Sequence, residues 1–214
     1  MPKGFTEYEK ELISKRLIEQ GYRLFSAYGL KKTNLDEIAA AAGISKGAFY
    51  LFYDSKEALF MDCAELAEVR FRQEILAIID LPGPSPRARF LAVLKRAFNL
   101  IKTIPLLQFF TGSDYDLLFR RIPQEKLQEH LSSDQVFFDE LFTRCQNAGI
   151  PIRVQSSQVL SLLYPLVIAY LREDDPGASI FSSSIDQLLE LAAAFCVGEI
   201  ELESQKPFQP TSQP

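Results

Sequence analysis

The sequence predicts an all-α protein, and three observations support that prediction. Apolar residues recur at intervals of three, four and seven almost throughout, which is the spacing of one helix face. Strand-type alternation is nearly absent, and the breaks between apolar runs fall at prolines and glycines. With 214 residues, 47% of them hydrophobic, the chain is long enough to bury a real core and too apolar to be disordered as a whole.

Four helices are predicted before residue 80, and capping residues mark their ends. The first begins with Thr6 and Glu9, which form a capping-box pattern, and it ends where Gly29 supplies a left-handed residue. The caps predicted for the other three helices are Asn34, Ser45 and either Asp54 or Ser55. The predicted spans are 9–28, 35–42, 45–52 and 55–79.

A segment with three prolines, residues 81–86, breaks the chain after the fourth helix. Five further helices follow, and Pro165 is expected to kink one of them. Their predicted spans are 87–103, 106–119, 124–148, 155–172 and 179–201, which brings the total to about nine helices. The last residues, 204–214, hold three prolines and few apolar residues, so we expect a disordered tail.

Charge is distributed unevenly along the chain. The whole sequence carries a formal charge of −5, whereas residues 1–60 hold nine Lys or Arg and eight Asp or Glu, a net charge of +1. The molecule as a whole therefore has no nonspecific attraction to DNA or to an anionic membrane, and any nucleic-acid function must be local. Three widely spaced cysteines, a charged amino terminus and the lack of an apolar run of about 20 residues predict a cytoplasmic protein.

Residues 35–52 have the length and the turn chemistry of a helix-turn-helix motif. Gly43 gives the turn its backbone freedom, Ile44 supplies an apolar plug for the core, and Ser45 caps the second helix. The competing interpretation is a helical protein in which two short helices happen to meet at a glycine.

The residues after the turn have the chemistry of a DNA-facing surface. Lys46 follows the cap directly, and Gly47 and Ala48 keep the surface low enough to approach base edges. Tyr50 reaches further, with a hydroxyl that can bond a phosphate. Phe49, by contrast, is spaced to pack against Ile38 and the first helix, so we predict that it belongs to the core.

A longer pattern surrounds this motif and covers about residues 6–60. It reads Phe25-x3-Gly29-x3-Thr33-x4-Ile38-Ala39-x2-Ala42-Gly43-Ile44-Ser45-Lys46-Gly47-Ala48-Phe49-Tyr50-x2-Tyr53-x-Ser55-Lys56-Glu57-x-Leu59-Phe60. This pattern resembles the amino-terminal domain of tetracycline-repressor (TetR) family transcriptional regulators. The resemblance implies a helix-turn-helix DNA-binding head, residues 1–54, on a helical ligand-binding and dimerisation body, residues 55–203, whose agreement with the family is architectural only.

The resemblance also assigns residues to the DNA surface. Thr33 resembles the family's phosphate-contacting threonine, and Lys56 matches a position that contacts the DNA backbone. The DNA-facing stretch of the motif consists of Ser45, Lys46, Gly47, Ala48 and Tyr50. On physical grounds Lys46 and Lys56 are expected to anchor phosphates, each adding about one unit to the salt dependence of binding.

Two positions depart from the family's pattern. Leu51 stands where many relatives carry a histidine or another polar residue, and Phe52-Tyr53 inverts the commoner order. The base-reading surface is therefore poor in forked donors such as Arg or Asn. Apolar contact with thymine methyl groups and DNA shape are expected to contribute more to specificity.

The body is rich in aromatic residues, most of which are expected to be core. Family members bind a small molecule between the body helices, and a wall of Phe and Tyr suits a largely apolar ligand. The candidate ligand contacts are Phe98, Phe109, Phe110, Tyr115, Phe138 and Tyr164.

The last two predicted helices carry broad apolar faces that something must cover. In the family they form a four-helix dimer interface, and a two-fold dimer presents two heads to a palindromic operator. The candidate interface residues are Leu162, Leu166, Tyr170, Leu188, Ala192 and Phe195. The alternative is an internal core in a monomer.

The sequence gives no support for catalysis, for a metal site or for a cofactor. His130 is the only histidine, and no serine lies in a nucleophile-elbow context, so a hydrolytic triad is not supported. We therefore predict a homodimeric regulator, a repressor released from DNA by a small ligand, and not an enzyme. The alternatives are a helical small-molecule-binding protein whose head does not bind DNA, and a DNA-binding architectural protein without an effector.

Overall fold

The computed structural model describes residues 5–108, 124–171 and 178–200, which form nine helices and no strand. Numbered in chain order, they are α1 Glu7–Lys32, α2 Leu35–Ala41, α3 Lys46–Phe49, α4 Lys56–Ala77, α5 Pro86–Thr103, α6 Pro105–Gln108, α7 Gln124–Asn147, α8 Ser156–Leu171 and α9 Ala178–Cys196. The all-α prediction is therefore confirmed. Among the described helices, none combines the length and the apolar character needed to cross a membrane.

The predicted caps of the first four helices are in place. Thr6 and Glu9 form a reciprocal capping box, in which the Thr6 backbone N–H donates to the Glu9 carboxylate at 2.8 Å. The side-chain oxygens of Asn34, Ser45 and Ser55 accept backbone N–H groups at 3.0, 3.2 and 3.0 Å and cap α2, α3 and α4. Of the two candidates for the fourth cap, Ser55 is therefore the one used.

One predicted helix end in the head is confirmed and one is wrong. The continuous helix of α1 ends at Gly29 as predicted, because Gly29 takes a left-handed φ of 78° with ψ 166°, and residues 30–32 form a further turn after this break that is counted with α1. α3 ends at Phe49, since the N–H groups of Leu51 and Phe52 bond to carbonyls three residues back, in the tighter pattern that closes helices.

Two further differences concern the body. The predicted 179–201 helix ends at Cys196, where Gly198 takes a positive φ of 79° and its N–H bonds to the Phe195 carbonyl. Of the predicted 106–119 helix, the structure describes only α6. The rest of that helix and the 204–214 tail lie outside the described residues.

One apolar core runs through the head and the body. In the head, Phe25, Ile38, Phe49 and Phe60 are fully buried, with α2 and α4 packed on α1. The crossing of α1 and α4 is close because Gly21 lies at it. A Cβ there would lie only 3.0 Å from a side-chain carbon of Leu59.

Two elements connect the head to the body. α4 begins beside the helix-turn-helix, and it also packs on α5 and α7. α6 contacts α1, α4 and α5, and its Leu106 is fully buried. The head and the body are therefore in direct contact through α4 and α6.

Arg89, in the first turns of α5, holds two helix ends together. Its guanidinium donates to the carbonyl oxygens of Leu81 at 3.2 Å, Ile79 at 2.9 Å and Ala148 at 2.7 Å. These carbonyls follow the ends of α4 and α7 and have no partner within their own helices. One side chain therefore fixes where α4 and α7 end relative to α5.

Candidate nucleic-acid interface

The turn between α2 and α3 is a Schellman motif. Gly43 has a φ of 78°, its N–H donates to the Ala40 carbonyl, and the Ile44 N–H donates to the Ala39 carbonyl, both at 3.0 Å. Only glycine adopts this backbone conformation without strain, so the predicted role of Gly43 in the turn is confirmed. The motif sets the angle at which α3 leaves α2.

Aromatic side chains hold α3 against the rest of the head. Phe49 is fully buried, as predicted, and its ring lies 5.8 Å from that of Tyr53. The Tyr53 hydroxyl donates to an Asp62 carboxylate oxygen at 2.8 Å, which ties the segment after α3 to α4. The short α3 is therefore rigid because its inward side chains are anchored, although four residues alone do not make a stable helix.

The outward side of α3 combines two small residues, Gly47 and Ala48, with the exposed aromatic side chain of Tyr50. Gly47 is exposed, and a Cβ added there meets nothing closer than the Ser45 hydroxyl oxygen at 3.9 Å. Tyr50 is 53% exposed, and its ring rests edge-on against Phe49 at 5.6 Å between centroids. Ala48 is half-buried, so the surface offers close backbone approach beside one aromatic hydroxyl.

A cleft of about 510 Å³ opens beside this surface, at the beginnings of α2 and α4. Four lysines line it, together with Tyr50 and the capping residues of both helices. The lysines are Lys31, Lys32, Lys46 and Lys56. Asp54 and Glu57 also line the cleft, so its four lysines give it a net charge of +2, against +1 for the whole of residues 1–60.

Two of these lysines, Lys46 and Lys56, also join the elements that form the walls of the cleft. The Lys46 ammonium lies 3.1 Å from an Asp36 carboxylate oxygen, and both side chains are about half exposed. The Lys56 ammonium donates to the Thr33 carbonyl at 2.8 Å, which joins the start of α4 to the loop between α1 and α2. Each of these lysines lies at the cleft wall with its charged end near protein oxygen atoms.

Thr33 lies differently from the other predicted DNA contacts. It is only 2% exposed, and its hydroxyl donates to the Gly29 carbonyl at 2.6 Å and lies 3.3 Å from the Leu24 carbonyl. In this conformation the hydroxyl faces the end of α1 and not the solvent. Thr33 therefore supports the cleft from inside, and its phosphate contact stays a prediction.

The structure describes three of the six predicted ligand residues of the body, Phe98, Phe138 and Tyr164. Phe98 is buried, with its ring 5.5 Å from that of Tyr170, and half-buried Phe138 joins a second aromatic group through Phe142 at 6.3 Å. Tyr164 is 53% exposed on α8 in the single chain, and its contact with a ligand stays a prediction. Phe109, Phe110 and Tyr115 lie outside the described residues.

The predicted interface residues divide into two groups. Half-buried side chains on α8 and α9 include Leu162, Leu166, Tyr170, Leu188 and Phe195. Ala192 is only 3% exposed and packs in the core of its own chain, and its place in an interface stays a prediction. Its neighbour Leu191 is 58% exposed and occupies the outward position instead.

Sequence reasoning missed two sets of residues that the structure places at important positions. Lys31 and Lys32 line the cleft, and their signal was a pair of cations at the end of α1, directly before the cap of α2. Glu68 and Arg72 on α4 meet Asp134 on α7 in a partly buried polar cluster. Within the described part of the chain, no group of His, Cys, Asp and Glu is placed to hold a metal ion.

Comparison with known proteins agrees with this geometry. Residues 17–63 match the family model described as bacterial regulatory proteins, tetR family. Over 133 residues, 58% of this chain and 44% of the relative, the sequence is 34% identical to YuxN of Bacillus subtilis, an uncharacterised HTH-type transcriptional regulator. The alignments with the curated relatives span less than half of their lengths.

Two solved structures share the fold over most of the chain. A TetR-family transcriptional regulator from Pectobacterium atrosepticum superposes with a TM-score of 0.61 at 20% identity, covering 87% of this chain and 95% of the other. The regulator FadR from Bacillus subtilis, solved with stearoyl-CoA, gives 0.57 at 16% identity, covering 84% and 97%. At these identities the likeness concerns the fold alone, a helix-turn-helix head on a helical body.

Proposed function

Because this chain belongs to the tetR family of bacterial regulatory proteins through its amino-terminal helix-turn-helix domain, we propose that it is a sequence-specific DNA-binding transcriptional regulator of the cytoplasm. The observation that carries the proposal is the lysine-lined cleft at the beginnings of α2 and α4, beside exposed Tyr50. Residues 1–54 serve as the DNA-binding domain, and residues 55–203 as the ligand-binding and dimerisation domain.

Phosphate contacts position the head on the DNA. Lys46, Lys56 and Tyr50 line one cleft, and their ammonium and hydroxyl groups are donors of the kind that bind phosphate oxygens. Ser45, Gly47 and Ala48 let the start of α3 approach the floor of the major groove. On binding, Lys46 exchanges its ion pair with Asp36 for a phosphate, which is a modest loss because exposed pairs contribute about 0–1 kcal/mol.

Dimerisation presents two such heads to a palindromic operator. α8 is apolar on every side from residue 166 to 171, where each residue is half-buried, so the chain alone leaves part of it exposed to water. Leu162, Leu166, Tyr170, Leu188 and Phe195 are the interface residues proposed on α8 and α9. Two-fold symmetry then places the two copies of α3 in successive major grooves about 34–36 Å apart.

A small, largely apolar ligand releases the DNA. Phe98 on α5 lies against Tyr170 on α8, and Phe138 and Phe142 lie one turn apart on α7; both α5 and α7 contact α4. A structural neighbour, FadR from Bacillus subtilis, was solved with stearoyl-CoA. A ligand that binds one arrangement of these helices more tightly shifts the population toward it. Where that arrangement spaces the heads wrongly for adjacent grooves, the ligand releases the regulator from the operator. The regulator is then a repressor, and the ligand induces transcription.

The test is fluorescence anisotropy of the protein with duplexes from upstream of its own gene and with a scrambled duplex, over a salt series. Wild type is expected to prefer the upstream DNA. The double variant Lys46→Ala, Tyr50→Ala is expected to lose that preference and to reduce the salt slope by about one unit per head. Arg144→Ala, which removes an exposed cation from α7, is the control and should bind like wild type.

Circular dichroism at the same temperature verifies that each variant is folded. Equal affinity of wild type for the two duplexes, or unchanged selectivity in the folded double variant, would contradict the proposal.

A further inference from the structure

We propose that Leu51 is a specificity-determining residue that reads a thymine methyl group in each half of the DNA site. The inference rests on the proposed function, because it needs α3 to lie in a major groove. It adds a base contact at a position outside the seven predicted DNA contacts.

The structure places Leu51 on the outward side of the recognition segment. Leu51 is 73% exposed, and its N–H bonds to the Ala48 carbonyl at 3.1 Å, in the tighter turn that follows α3 directly. Residues 47, 50 and 51 therefore share one side, because positions three and four apart are neighbours on a helical surface. Fully buried Phe49 lies on the opposite side.

A singly exposed leucine is common on protein surfaces and does not by itself indicate a site. The surroundings of Leu51 are what favour a role. Its neighbours on the outward side are exposed Gly47, which has no side chain, and Tyr50, whose ring leans on Phe49. Leu51 is consequently the largest aliphatic group on the surface that α3 presents beside the lysine cleft.

The chemistry of the groove then restricts what Leu51 can read. An isobutyl side chain has neither a donor nor an acceptor, and the only apolar group on a base edge in the major groove is the C5 methyl of thymine. Contact with any other base desolvates polar edge atoms without replacing their hydrogen bonds. Leu51 therefore favours thymine at the base pair it meets and discriminates against the other three bases.

The magnitude follows from the size of the group. Burial of one methyl-sized group corresponds to about a fourfold change in affinity, and a palindromic site contains two such contacts. Removal of both methyl groups is therefore expected to weaken binding by roughly sixteenfold. This effect is large enough to measure in a titration of a dimer on a single duplex.

The experiment begins with selection of sites by the wild-type protein from a pool of randomised duplexes. Each thymine of the selected site is then replaced in turn, in both half-sites, by deoxyuridine, which removes only the methyl group. The dissociation constants are measured for wild type, for Leu51→Ala and for Leu81→Ala, a control that truncates an exposed leucine between α4 and α5.

Wild type and the control are expected to lose roughly sixteenfold in affinity at one symmetric pair of thymines. Leu51→Ala, which alters no buried contact, is expected to be insensitive at that pair. Replacement of the same thymines by cytosine weakens wild type, and 5-methylcytosine at those positions restores part of the loss because it returns the methyl group.

Two results overturn the inference in distinguishable ways. An enriched site at which Leu51→Ala and wild type lose the same factor with deoxyuridine overturns the role of Leu51 while leaving the proposed function intact. A pool from which wild type enriches no sequence contradicts the proposed function, and the role of Leu51 with it.

Discussion

A carboxyl group on α4 gives this protein a stability that depends on pH. The side chain of Glu68 is only 12% exposed, in a cluster where the Arg72 guanidinium lies 3.4 Å from Glu68, 3.0 Å from Asp134 and 2.7 Å from the Ser133 hydroxyl. Burial, and next the charge of Asp134, raise the pKa of Glu68 to about 8, and Arg72 only partly opposes them. Arg72 is therefore shared between two carboxylates and neutralises Glu68 incompletely.

The direction of the pH effect follows from where the proton is held more tightly. The folded protein retains the Glu68 proton up to a pH of about 8, whereas the unfolded chain releases it near 4.5. The free energy of unfolding therefore decreases as the pH rises from about 4.5 to about 8, and the loss is complete above that range. At about 1.4 kcal/mol per pH unit, the raised pKa sets an upper limit of roughly 5 kcal/mol.

The expected loss is about half of that limit, roughly 2–3 kcal/mol, because Arg72 and Asp134 share the titration with Glu68 and the site retains some contact with water. Glu68→Gln keeps the volume of the side chain and an acceptor for Arg72 but removes the charge. We expect this variant to be about as stable as wild type at pH 5 and more stable by roughly 2–3 kcal/mol at pH 8.5.

The assay is urea unfolding followed by far-ultraviolet circular dichroism between pH 5 and pH 9, at one fixed protomer concentration because dimerisation adds to apparent stability. Glu190→Gln, which neutralises an exposed glutamate on α9, is the matched control. Its unfolding free energy should differ from that of wild type by the same small amount at every pH. A pH-independent difference between Glu68→Gln and wild type would refute the reasoning.

Two further predictions concern the ends of helices. Arg89→Ala leaves three carbonyls at the ends of α4 and α7 without their charged donor. We expect thermal or urea unfolding to show that the free energy of unfolding falls by about 2–4 kcal/mol. A change below about 0.5 kcal/mol would contradict the role of Arg89 in joining the two helix ends. Gly149→Ala and Gly198→Ala both place alanine at a positive φ, at an expected cost of about 1 kcal/mol, but only at Gly198 does the new Cβ lie 2.7 Å from Cγ of Arg153. Gly198→Ala is therefore expected to be the more destabilising by about 1–2 kcal/mol in the same assay, and equal losses would show that Arg153 moves freely.

The helices and the head were predictable because their signals are local. Caps such as Ser45 and Ser55 act within one turn. The positive φ of Gly43 belongs to a turn that is closed by hydrogen bonds to Ala39 and Ala40, both at most four residues away along the chain. The burial of Phe49 also followed from spacing, since only one side of so short a helix can face α1. These features do not depend on where the body lies.

The faces of the body helices were not predictable to the residue. α8 and α9 are apolar on most sides, so periodicity alone does not say which side meets the core. Leu191 and Ala192 are adjacent, yet one is 58% exposed and the other 3%. The choice is made by contacts with α5 and α8, which are distant in sequence.

The inward position of Thr33 and the burial of Glu68 escaped prediction for the same reason. Periodicity places a charged residue of an amphipathic helix toward water, and α4 has charged residues on several sides. Glu68 is buried only because α7 packs across it and brings Asp134 and Ser133 within reach of Arg72. Thr33 turns inward because the Gly29 carbonyl oxygen, which accepts the Thr33 backbone N–H at 3.2 Å, has a second lone pair that accepts the Thr33 hydroxyl.

The same contacts limit how a ligand in the body can act on the head. α4 carries Leu59 and Phe60 into the core of the head, and three turns later it carries Arg72 to α7. A shift of α7 that breaks the bonds from Arg72 to Ser133 and Asp134 takes the charge of Asp134 away from Glu68 and leaves Arg72 beside it. The pKa of Glu68 then falls, since Asp134 no longer opposes its ionisation. Where ligand binding moves α7 in this way, it also releases a proton from Glu68. The ligand and the proton then compete through one equilibrium, so ligand binding and the release of DNA become more favourable as the pH rises.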